Sequence, residues 1–133
     1  MKNKTVLWLR VSYWTGAGLD VIAALTMLFP TLFVLINQPI NFQANLAYHY
    51  AMGMGAPLMI AWTVLLLWAD RKPIERKGVL PITLLVVLGE VTVQVWGIVV
   101  GFVPFSALLL SFVMQAILLV LFLFSYLNAR NLE

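Results

Sequence analysis

Two carboxylates, Asp20 and Glu90, stand inside long apolar runs, and Gln94, Gln115 and His49 are further side chains that a purely structural bundle has little reason to place there. A pair of acids in apolar surroundings is a residue set for proton chemistry. One acid that keeps its proton beside one that is ionised can exchange a proton with a guest or act as general acid and base. Carboxamides add donors and acceptors that orient a guest. A lone histidine serves as a proton relay or, more plainly, as an interface contact. With no cysteine in the chain, thiolate nucleophiles, disulfides and thiolate metal sites are excluded, and one histidine with two acids is a weak ligand set. No metal and no cofactor are expected.

The elements that must position these residues follow from composition. A 133-residue chain that is 63% hydrophobic and 10% charged lies far outside the range of soluble domains and reads as one integral membrane domain, residues 1–133. The apolar runs predict four spans, about 6–29, 46–69, 79–103 and 105–127, in an all-α up-down-up-down four-helix bundle. Every lysine and arginine falls in one of three stretches: Lys2, Lys4 and Arg10; Arg71, Lys72, Arg76 and Lys77; and Arg130. The connections near 30–45 and 102–105 carry no charge. Because cytoplasmic loops keep Lys and Arg, both termini of this multi-pass membrane protein are expected on the cytoplasmic side. The first run outlasts a signal core and shows no cleavage site, so it is expected to stay as a span. Trp8, Tyr13 and Trp14 mark its inner interface. Pro30 ends it, and 30–45 reads as a short interfacial helix over the outer end.

The net charge of +3 is therefore no sign of nucleic acid. Arg71, Lys72, Arg76 and Lys77 read as contacts for anionic lipid headgroups, and membrane lipids are the expected partners. Small residues offer close-approach faces, Ala51 with Gly55 on the second span and Gly97 with Gly101 in a GxxxG pattern on the third. These serve internal packing or a homo-oligomer seam.

Depth gathers four of the polar groups. At about 1.5 Å per residue from the inner interface, Asp20 lies about 20 Å in, Glu90 about 16 Å and Gln115 about 18 Å, with Gln94 one turn further out. His49 sits near the outer end of the second span. Face agrees with depth. Thr83, Glu90, Gln94, Gly97 and Gly101 make one stripe, Gly16, Asp20 and Ala24 another, His49, Gly53, Ala56 and Thr63 a third, and Ser111 with Gln115 a fourth. An ionisable group facing lipid at mid-helix costs at least about 2.5–3.5 kcal/mol, so these faces are expected to point inward. No Lys or Arg shares that depth, and at least one of the two acids is expected to be protonated in the empty protein. The plainer alternative makes the acids and glutamines interhelical glue, each bond worth about 0.6–2 kcal/mol.

The segment Tyr48-His49-Tyr50-Ala51-Met52-Gly53-Met54-Gly55-Ala56, followed by Trp62 through Pro73, resembles an uncharacterised family of small bacterial four-span inner-membrane proteins. That resemblance implies a topology and a bacterial inner-membrane setting. A looser likeness is to the emopamil-binding and sterol-isomerase-like bundles. Glu90-Val91-Thr92-Val93-Gln94 is similar to their Glu-x-x-x-Gln motif, and Asp20 to their first-helix Asp. It implies an intramembrane pocket for amphipathic amines or sterols.

Three functions stay open on this reading. One is a pocket in which Asp20, Glu90, Gln94, Gln115 and His49 bind or transport an amphipathic or cationic small molecule, with proton coupling. Another is a membrane enzyme acting on a lipid-soluble substrate by acid–base proton transfer. The third is a non-catalytic accessory subunit.

Overall fold

The computed structural model describes residues 2–130; the side chain of Lys2, counted above among the basic residues, lies outside that description. The described residues form five helices: α1 (Lys2–Leu28), α2 (Pro30–Asn37), α3 (Leu46–Asp70), α4 (Val79–Val99) and α5 (Phe105–Arg130). The four long ones are long and apolar enough to cross a membrane, and the chain is a multi-pass helical bundle. The short α2 is the expected outer helix. Phe29 adopts an extended conformation and Pro30 opens the next helix, where its missing N–H costs nothing. Gln38, left-handed at φ 45°, then ends it. Asn45 restarts the chain, its side chain accepting the Tyr48 N–H of α3 over 2.9 Å.

Helix α1 is the centre of the bundle, lying against α3 on one side and α5 on the other, and α5 in turn carries α4. The buried core fills the half of the bundle that holds the basic turn. It is built from Leu9, Tyr13 and Ala17 of α1, Leu66 and Ala69 of α3, Leu80 and Val87 of α4, and Leu118, Phe122 and Ala129 of α5. Polar fasteners reinforce it. Ser12 and Ser125, both fully buried, share a 2.8 Å hydrogen bond and meet the Trp8 carbonyl, joining α1 to α5. The Tyr13 hydroxyl donates toward the carbonyls of Arg76 (3.1 Å) and Pro73 (3.3 Å), which ties α1 to the turn between α3 and α4. Tyr13, expected at the interface, is fully buried, whereas Trp8 and Trp14 beside it are exposed.

The third long helix is shorter than the apolar run implies. It stops at Val99 because Gly101 takes φ 73°, and the Phe102 and Gly101 N–H groups return to the carbonyls of Gly97 and Ile98. This 6→1 and 5→2 pair is a Schellman stop. Gly101 therefore lies beyond α4 rather than on its stripe, and Gly97, which is buried, faces Val103 of its own hairpin. Gly55 is likewise used inside the chain, its open side 3.3 Å from the Met27 sulfur. A bond from Ile40 N–H to the Phe102 carbonyl (2.8 Å) links the two outer connections, and the rings of Phe33, Phe42 and Tyr48 cluster there in tilted and edge-on contacts.

Candidate intramembrane binding site

The tight core has a ceiling, and the acids stand on it. One turn below Asp20 on α1, Gly16 has no Cβ; one placed there would lie 2.9 Å from Phe122 Cζ and 3.1 Å from Leu66 Cδ1. Helices α1, α3 and α5 are thus pinched together at this level. Outward of it few residues are buried. On α1 only Ala24 is, on α4 only Gly97, and Pro57 interrupts α3, leaving the Gly53 carbonyl without its helical donor.

At this boundary the sequence-predicted groups meet. Asp20 of α1 and Glu90 of α4 are half-buried and close enough to repel each other when both are charged. Gln115 of α5, 6% exposed, lies beside the Glu90 carboxylate. One turn further out, the Gln94 amide donates to Ser111 Oγ over 3.0 Å. Glu90 with Gln94 and Gln115 with Ser111 are each four residues apart, so antiparallel α4 and α5 are joined by two successive polar rungs. Ser111 shares its stripe with Gln115, and that spacing was the signal that it belongs here.

The arrangement is rich in unmatched acceptors. Asp20 Oδ2, Gln94 Oε1 and Gln115 Oε1 are all buried without a hydrogen-bond partner. Three buried oxygens without a protein partner are costly, and a donor that reached them would recover that cost. No ion pair among the described residues involves Asp20 or Glu90. Four of the described cations are engaged elsewhere. Arg10 pairs with Asp70 at 3.6 Å, where Trp14 Nε1 also donates (3.2 Å). Lys72 bonds Glu75 at 2.9 Å. The Arg76 guanidinium lies 3.4 Å over the Trp68 ring and donates to the Trp68 carbonyl. Lys77 Nζ donates to the last carbonyls of α5, Ala129 (3.0 Å) and Arg130 (3.1 Å), where a cation also suits the helix dipole. Three of the four residues expected at headgroups thus hold the turn together, and Arg71 is the exposed remainder.

His49 does not join the acids. It is exposed in the first turn of α3, edge-on to Tyr48 at 5.6 Å, and belongs to the outer aromatic cluster. Two apolar grooves open on the bundle surface: one of about 560 Å³ between α1 and α5, and one of about 250 Å³ between α1 and α3, lined by Val21, Ala24, Leu25, Leu28, Ile60, Thr63 and Val64. Neither is lined by Asp20 or Glu90. No protein-family model, curated protein or solved structure matches this chain.

Proposed function

We propose that the level of Asp20 and Glu90 is a binding site for an amphipathic or cationic small molecule, handled by a protein of the bacterial inner membrane whose basic end faces the cytoplasm. The observation that carries this reading is the set of buried acceptors without a protein partner, Asp20 Oδ2, Gln94 Oε1 and Gln115 Oε1, around two acids with no basic partner among the described residues. A set of acceptors without cations favours a guest that brings hydrogen-bond donors and positive charge. Entry of that charge displaces the proton that two neighbouring acids would otherwise hold between them, which couples binding or transport to proton movement. The apolar ends of the guest lie in the loosely covered outer half, beneath α2 and the outer connections.

The test is isothermal titration of the purified protein with dodecylammonium, recording proton release in two buffers of different ionisation enthalpy. Binding with release of a proton is expected, and Glu90→Gln is expected to lose both while keeping its helical content. Unchanged binding in Glu90→Gln, or no binding to the unaltered protein, overturns the reading.

A further inference from the structure

The larger groove lies away from the acids, and everything lining it is apolar. Trp8 of α1 and Val113, Ala116, Ile117, Val120, Leu121 and Phe124 of α5 form its walls, with Trp8 set edge-on to Phe124 at 5.6 Å and 86°. Its α5 wall repeats at intervals of three and four over the twelve residues from Val113 to Phe124, about 16 Å of helix. That is one leaflet's share of a hydrocarbon core roughly 30 Å thick. Its position matches as well: Phe124 and Trp8 lie at the basic end and Val113 lies toward the middle of the bundle.

The mouth is polar where a headgroup would be. Lys4 precedes Trp8 by one turn on the same face of α1, and Asn128 follows Phe124 by one turn on the same face of α5. Both are exposed. Lys4 thus differs from the cations of the 71–78 turn that are engaged with Glu75, with Trp68 or with the end of α5. A groove one leaflet long, apolar throughout and headed by a lysine and an asparagine complements an anionic phospholipid. The acyl chain fills the groove, the phosphate meets Lys4 and the polar headgroup meets Asn128. We propose that the α1–α5 groove is a retained-lipid site for an anionic phospholipid of the leaflet at the basic end.

The experiment is native mass spectrometry of the detergent-purified protein titrated with dioleoylphosphatidylglycerol or dioleoylphosphatidylcholine. Expected are adducts with the anionic lipid at several-fold lower concentration than with the zwitterionic one. A lysine near a membrane surface is worth about 1 kcal/mol toward anionic lipid, so Lys4→Gln should weaken the anionic adduct about fivefold and leave the zwitterionic one unchanged. Ala116 is exposed, so Ala116→Trp fills the groove without entering the core and should remove the tightest adduct of either lipid. Val120→Trp, at another exposed wall position, repeats the test independently. Equal retention of the two lipids, insensitivity to both tryptophan variants, or a lipid-free dimer that either variant makes monomeric would each overturn the assignment.

Discussion

Gln94 donates to Ser111 over 3.0 Å, one helical turn outward of the place where Gln115 lies beside Glu90. The two contacts make α4 and α5 a laddered pair. Here the glue reading and the site reading apply to different atoms of one residue: the Gln94 amide N–H binds the neighbouring helix, while its oxygen, like that of Gln115, is left unmatched.

The outer rung should behave as ordinary intramembrane glue. Gln94→Ala and Ser111→Ala should each lower stability, and their coupling in a double-mutant cycle should be about 0.6 kcal/mol and no more than about 1.7 kcal/mol. Detergent-induced unfolding followed by circular dichroism measures it. Zero coupling would show that the contact holds nothing.

How much of this was legible beforehand depends on what each residue's role required. Asp20, Glu90, Gln94 and Gln115 were placed together by counting residues and following faces, since helical rise and period are local properties. The end of α4 was not legible, because Gly97-x-x-x-Gly101 fits both a close-approach face and a helix with a glycine stop. Only the positive φ at Gly101 decides. Tyr13 looked like an interface aromatic by its neighbours Trp8 and Trp14, yet it is buried against carbonyls some 60 positions later. Arg76 and Lys77 looked free for headgroups for the same reason: their partners, Trp68 and the end of α5, are set by tertiary contacts. Pro57 was visible in the sequence, but a proline inside a span gives no sign of what the carbonyl it leaves without a donor serves.

Gly101 offers a direct check on the helix stop. A left-handed conformation costs a residue with a Cβ roughly 1–2 kcal/mol, and no atom outside its neighbours lies within 4 Å of where that Cβ would be. Gly101→Ala should therefore destabilise the chain by about that amount at every protein concentration. A penalty that grows on dilution would instead place Gly101 in a seam between copies.

The pinch beneath the acids separates two glycines only two residues apart. Gly16→Ala would drive a methyl group into Phe122 and Leu66 and should cost about 1–3 kcal/mol. Phe122→Leu in the same chain should recover part of that loss. Nothing lies within 4 Å of a Cβ at Gly18, so Gly18→Ala should be neutral or stabilising by up to about 1 kcal/mol through helix propensity. Both are read from unfolding midpoints, and equal effects would contradict the packing described.

Asp20→Leu distinguishes a site from a structural contact most sharply. If Asp20 is held for binding, its buried, unpartnered Oδ2 is a standing cost, and an apolar side chain of similar length removes it. The substitution should then raise resistance to unfolding by about 1 kcal/mol while dodecylammonium binding is lost. If Asp20 were instead an anchor between α1 and α4, the same change would strand its partner and lower stability by a comparable amount. Opposite signs of one unfolding shift, measured beside one binding isotherm, decide between them: stabilisation with loss of binding assigns Asp20 to the guest, and destabilisation assigns it to the fold.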